Sequence, residues 1–123
     1  MHIRCLIVDD NDSFLVAARL LLEREGLIVA GVASSVAEAL AQAELLRPDV
    51  ALVDVSLGKE SGLEVARELQ RRDPSHGPTI ILISTRSEDE VADLIDRMPV
   101  AGFLSKSELS AEAIRRLADG SPG

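Results

Sequence analysis

The stretch Ile3-Arg4-Cys5-Leu6-Ile7-Val8-Asp9-Asp10 decides how this chain is read. A nearly continuous apolar run suits a parallel strand buried on both faces. Two acids stand directly where that strand leaves the core. A second run, Val50-Ala51-Leu52-Val53, is followed at once by Asp54. If the two runs are neighbouring parallel strands, their ends meet and three carboxylates share one small site. Two unit charges about 4 Å apart repel by roughly 4 kcal/mol at an effective dielectric of about 20. A small domain has only about 5–15 kcal/mol of total stability to set against that. A hard divalent cation, which prefers carboxylate oxygens, is the cheapest compensation. The expectation is therefore a Mg²⁺ site with one carboxylate left for chemistry.

Outward from these runs, apolar segments alternate with helical patterns. The strand-like runs are 3–8, 27–33, 50–53, 79–83 and 100–104. Between the first two, Phe14, Ala17, Ala18, Leu21, Leu22 and Glu25 follow helical spacing, with Asn11 or Asp12 as cap and Gly26 as stop. The next helix is expected from a Ser-x-x-Glu box at Ser35 and Glu38 and stops before Pro48. A third follows the box Ser61 to Glu64, and a fourth the box Ser87 to Glu90, ending at Met98-Pro99. A last helix covers about 110–118. The pattern predicts an α/β fold, (βα)₅, with helices on both faces of one parallel sheet. Residues 1–119 are expected to form one domain, and Gly120-Ser121-Pro122-Gly123 a flexible tail or the start of a linker.

Composition narrows the function. A chain of 123 residues fits one core. With two Phe and no Tyr or Trp, that core must be built from Leu, Ile, Val and Ala. A net charge of −8 argues against direct nucleic-acid binding by this domain. Cys5 is the single cysteine, lies in an apolar strand and reads as a buried, inert thiol. No apolar stretch reaches the ~20 residues of a membrane span, and no signal peptide is visible, so a cytoplasmic location is expected.

Polar groups gather at the carboxyl ends of the expected strands, where open α/β sheets bind ligands. Asp9 and Asp10 follow the first strand, Asp54 the third, Ser84 the fourth and Lys106 the fifth. Each has a bland explanation alone: a helix cap, a turn residue, a solvated charge. Their joint placement on one edge is harder to explain that way. A carboxylate can attack a phosphoryl group, and Asp54, alone on a central strand, is the better nucleophile. Lys106 would supply a point positive charge and Ser84 a hydroxyl donor to the phosphoryl oxygens. Mg²⁺ on Asp9, Asp10 and Asp54 would neutralise the incoming charge.

In this pattern the sequence resembles the receiver domain of bacterial two-component response regulators. The matching segments are Leu6-Ile7-Val8-Asp9-Asp10, Ala51-Leu52-Val53-Asp54-Val55, Ser61-Gly62-Leu63-Glu64-Val65, Ile81-Leu82-Ile83-Ser84 and Gly102-Phe103-Leu104-Ser105-Lys106. The resemblance implies a flavodoxin-like sheet in the order 2-1-3-4-5. It implies that Asp54 accepts a phosphoryl group from a phospho-histidine of a sensor histidine kinase. It implies that Asp9, Asp10, Asp54 and the backbone carbonyl of Ser56 bind Mg²⁺. Ser84 and Phe103 match a switch pair, in which the hydroxyl moves to the phosphoryl group and the ring turns inward. The fourth helix, fifth strand and fifth helix would form the output face and a surface for homodimerisation.

Some residues depart from the family pattern. Leu57-Gly58 replaces a common Met-Pro, which implies a more mobile loop. Ser107 replaces a proline after the lysine, which makes a cis peptide there less favourable. Lysine followed by serine, with Gly-Phe-Leu before it, is closer to the LuxR/NarL-type regulators that carry a helix-turn-helix output domain, so DNA binding would fall to a C-terminal domain absent from this chain. Thr85 is bulkier than the residue often found there and would slow phosphodonor access. Arg86 either reaches the phosphoryl group or is a solvated helix-start charge. The leading expectation is a phosphorylation-dependent switch, without turnover of an external substrate. The alternative is a receiver-shaped binding module that signals without phosphorylation. A phosphohydrolase is disfavoured, because such enzymes usually need a second acid where Ser56 stands.

Overall fold

Strand β1, Arg4–Val8, is apolar toward both sides and is sandwiched accordingly. Cys5 and Ile7 point into one core, Leu6 and Val8 into the other. The same alternation runs through β3, Val50–Asp54, and β4, Thr79–Ser84. Leu52, Ile81 and Ile83 face the first core; Ala51, Val53 and Leu82 face the second. Strand β2, Ile28–Ala33, and strand β5, Gly102–Ser105, form the edges. All neighbours pair in parallel, in the order β2-β1-β3-β4-β5. This computed structural model describes residues 3–86, 92, 93, 96 and 98–119. The expected fourth helix over 87–98 lies largely outside the described residues, as does its share of the output face, and the tail at 120–123 lies wholly outside them.

Helix α1, Asp12–Arg24, and the C-terminal helix, Ala111–Ala118, cover the first core through Leu15, Ala18, Leu22 and Ile114. Helices α2, Val36–Leu46, and α3, Gly62–Arg72, cover the second through Ala39, Ala43, Val65, Ala66 and Leu69. The C-terminal helix is tied back to α1. Glu25 Oε1 accepts from the Ala111 amide at 2.7 Å, and Arg115 donates to the Glu25 carbonyl at 3.3 Å.

Among the described residues, the helix starts after Asn11, Ser35 and Ser61 fall where the caps predict. Asn11, rather than Asp12, caps α1: its side chain accepts from Phe14 N at 3.0 Å. Ser35 caps α2 by accepting from Glu38 N at 3.1 Å, but the Glu38 carboxylate returns to Ser34 N at 2.9 Å instead of closing the box on Ser35. Ser61 caps α3 through Leu63 N at 3.2 Å, while Glu64 lies 3.8 Å from Arg67. Glu60 and Ser61 pair antiparallel with Ser56 and Leu57 in a short hairpin the sequence did not suggest. Leu57 is buried in the second core, so the loop expected to be mobile is anchored there. The described residues contain no cis peptide, in keeping with Ser107 after Lys106. No described helix is long and apolar enough to cross a membrane.

Cys5 is fully buried on β1. Burial, and then the Asp49 charge, push its thiol up to about 11. The native protein should therefore resist Ellman's reagent near pH 8 and react fully once unfolded in urea; fast labelling of the native state would contradict this packing.

Candidate functional site

Asp9 leaves β1 with its amide bound to the Ala33 carbonyl at 2.9 Å, which fastens it beside β2. Its side chain is fully buried, whereas Asp10 is exposed. Asp54 is the last residue of β3 and is buried too. One carboxylate oxygen from each of Asp9, Asp10 and Asp54 lies within 4.8 Å of the others. The three acids therefore meet as the two apolar runs imply.

Lys106 opens a short 3-10 turn, Lys106–Glu108, directly after β5. Its Nζ stands 2.6 Å from Asp9 Oδ2 and 3.0 Å from Asp54 Oδ2. The remaining oxygens bind backbone: Asp9 Oδ1 accepts from Asn11 N at 2.9 Å, and Asp54 Oδ1 from Ser56 N at 3.0 Å. Asp9 Oδ2 is buried and is held by the Lys106 ammonium in a close charge-assisted contact. Three converging carboxylates, each offering a hard oxygen donor, are the kind of group that fits a divalent cation.

Burial is the main force on Asp54 and raises its pKa. The Ser56 amide and Lys106 pull it down, the Asp9 charge pushes it up, and the net direction is upward. Burial pulls the Lys106 ammonium down, but its contacts with Asp9 and Asp54 outweigh that and raise it overall. Lys106 is thus charged across the neutral range.

The other expected residues sit around this cluster. Ser84 ends β4, is buried, and its hydroxyl accepts from Arg86 N at 3.0 Å. Thr85 and Arg86 are exposed just beyond it. Phe103, on β5, is half-buried against the second core. Ser56 is exposed, with its amide turned to Asp54.

Two kinds of residue went unread in the sequence. Phe14 places its ring 4.3 Å from Lys106 Nζ, although helical spacing marks it only as a core residue. Gly62 has no room for a side chain, since a Cβ there would lie 1.7 Å from the Asp54 carbonyl oxygen. A glycine directly after a helix-capping serine was the available signal. Gly58, at φ +63°, turns the hairpin so that a Cβ would lie 3.2 Å from Asp10 Oδ2.

Residues 5–118 match the response regulator receiver domain family. The chain belongs to that family. Its receiver fold superposes on the signal receiver domain of NarL from Mycobacterium tuberculosis with a TM-score of 0.83, at 27% identity and over 98% of each chain. Among curated proteins it is 34% identical over 116 residues to the response regulator GacA of Pseudomonas viridiflava, covering 94% of this chain and 53% of that protein. It is 35% identical over 121 residues to the DNA-binding transcriptional activator DevR/DosR of Mycobacterium tuberculosis, covering 95% of this chain and 54% of the relative. The receiver thus spans about half the length of these curated relatives.

Two substitutions test this geometry. Gly62→Ala drives a methyl group into the Asp54 backbone and should destabilise the receiver by about 1–3 kcal/mol in urea unfolding; a change near zero would mean the backbone yields freely. A carboxyl held above its unfolded pKa favours folding only at low pH and loses that contribution as pH rises through the folded value. Asp54→Asn should therefore raise stability at neutral pH without divalent cations, and the gain should vanish in acid. Equal or lower stability of the variant at pH 7 would contradict a raised Asp54.

Proposed function

We propose that this receiver is a phosphorylation-dependent switch of a two-component system, with Asp54 as the acceptor and a sensor histidine kinase as the donor. The observation that carries the reading is the convergence of Asp9, Asp10 and Asp54 with the Lys106 ammonium set on two of them. An Asp54 carboxylate oxygen attacks the phosphorus of a phospho-histidine. The P–N bond breaks with its electron pair going to the imidazole nitrogen, which takes a proton from solvent. The product is an acyl phosphate on Asp54.

Asp9, Asp10, Asp54 and the backbone carbonyl of Ser56 are the groups that would hold Mg²⁺, which when bound supplies positive charge to the phosphoryl oxygens. Lys106 offers its ammonium from the β5 side. Ser84 Oγ accepts from Arg86 N at 3.0 Å, and its own hydroxyl hydrogen is left to donate to the phosphoryl group. Phosphorylation adds about −1.5 to −2 charges near pH 7, enough to draw that hydroxyl toward it. Phe103, half-buried against the second core, is the ring that would repack as Ser84 moves. It has no hydroxyl, so its report is by packing alone.

We take residues 1–119 as the domain, acting in the cytoplasm, with the face around β5 and the C-terminal helix as the surface that would pair with a second copy or with an output. A net charge of −8 speaks against direct nucleic-acid contact by this domain.

Incubation with acetyl phosphate and Mg²⁺, read by intact mass, should show one added phosphoryl group. EDTA should prevent it and Asp54→Ala should abolish it. Lys106→Ala should slow it by about 10²-fold, the scale of losing one electrostatic stabiliser. No adduct on the native protein, or an equal adduct on Asp54→Ala, overturns the proposal in favour of a phosphorylation-independent binding module.

A further inference from the structure

Lys106 has a third partner besides its two carboxylates. Its Nζ lies 4.3 Å from the centroid of the Phe14 ring, well inside the ~6 Å reach of a cation–π contact. The lysine side chain is 15% exposed, so this contact is shielded from water and stronger than a surface one. Phe14 is placed there by a closed circuit of interactions. Asp9 Oδ1 accepts from Asn11 N at 2.9 Å, and the Asn11 side chain accepts from Phe14 N at 3.0 Å. The Phe14 ring faces Lys106, and Lys106 returns to Asp9 Oδ2 at 2.6 Å. The cap that starts α1 therefore also fixes where the ring stands relative to the acidic cluster.

We infer that Phe14 is a positioning residue for Lys106, its ring face keeping the ammonium over the acidic site. The need follows from the other two partners. Asp9 and Asp54 are the groups whose oxygens a divalent cation or a phosphoryl group would engage. A bound cation puts a like charge beside Lys106, and phosphorylation of Asp54 replaces one of its carboxylate contacts. The ring neither titrates nor ligates a hard cation, so its attraction for the ammonium survives both. A lysine stem has much rotamer freedom to recover by swinging into solvent, and the ring opposes that swing. A leucine would fill much of the same core space beside the first apolar cluster but would offer no negative π-face.

The part of this role that concerns phosphoryl uptake rests on the function proposed above; the placement of the ring does not. The test uses Phe14→Leu, which keeps an apolar filler, and Phe14→Tyr, which keeps the ring. Proton NMR should show the Lys106 Hε resonances shifted upfield by the ring current in the native protein and in Phe14→Tyr, and unshifted in Phe14→Leu. The rate of phosphorylation by acetyl phosphate at saturating Mg²⁺ should fall about three- to tenfold in Phe14→Leu and recover in Phe14→Tyr. In a Lys106→Met background, Phe14→Leu should cause no further loss. An unshifted Lys106 in the native protein overturns the inference outright. So does an unchanged rate in Phe14→Leu, or an equal loss in the Lys106→Met background, which would make the ring mere packing. If the native protein takes up no phosphoryl group, the proposed function falls, and the Hε shift still decides whether the ring holds the lysine.

Discussion

Burying the Asp9 carboxylate is the constraint on which the carboxyl edge of this sheet depends. A charge with no exposed surface needs an opposite charge close by, and removing one partner of such a pair is strongly destabilising. The partner comes from far away. Lys106 follows β5, whereas Asp9 follows β1, with β3 and β4 between them in the sheet. At about 4.8 Å per strand that is roughly 14 Å of sheet. A long, flexible stem is needed to lean inward across the ends of the intervening strands, and Asp54 on β3 lies on the way. The strand order and the electrostatics are thus one arrangement: changing the order of strands would leave Asp9 buried and unpaired.

The fold was legible because its strands are buried on both faces. Continuous runs such as Ile80-Ile81-Leu82-Ile83 cannot be exposed surface, and their spacing leaves room for crossover helices. The site was legible for a related reason. Its polar residues stand immediately after those runs, so locating the strand ends located the groups. What stayed hidden was decided by contacts between distant segments. The Phe14–Lys106 contact joins the first helix to the turn after the last strand, and no local pattern encodes it. The Ser56–Leu57 and Glu60–Ser61 hairpin is too short for any periodicity to show. The boxes at Ser35 and Ser61 mark helix starts as expected, but Glu38 and Glu64 found other partners, because a flexible acidic side chain takes the nearest donor the loop presents.

The chemistry of the site depends equally on what is missing. Gly62 lets the start of α3 press against the Asp54 backbone, with the Gly62 amide bound to the Val55 carbonyl at 2.9 Å. Any side chain there would push the start of α3 and the end of β3 apart. Asp54 is therefore backed closely by the α3 backbone, while its side-chain oxygens are engaged by Ser56 N and Lys106. Close backbone behind and polar groups in front is the arrangement that fixes a side chain's direction with little entropy left to lose.

The tie between Glu25 and the C-terminal helix bears on how the molecule is made. The carboxylate and the Ala111 amide are 86 residues apart in sequence, so their bond cannot close until nearly the whole receiver has been synthesised. Leu15, Ala18 and Leu22 of α1 share their core with Ile114, which arrives equally late. The strands β1, β2 and β3 gather that core earlier, and the last helix completes it. Long-range closure of this kind slows folding. One side of the sheet is therefore sealed only when the end of the receiver leaves the ribosome.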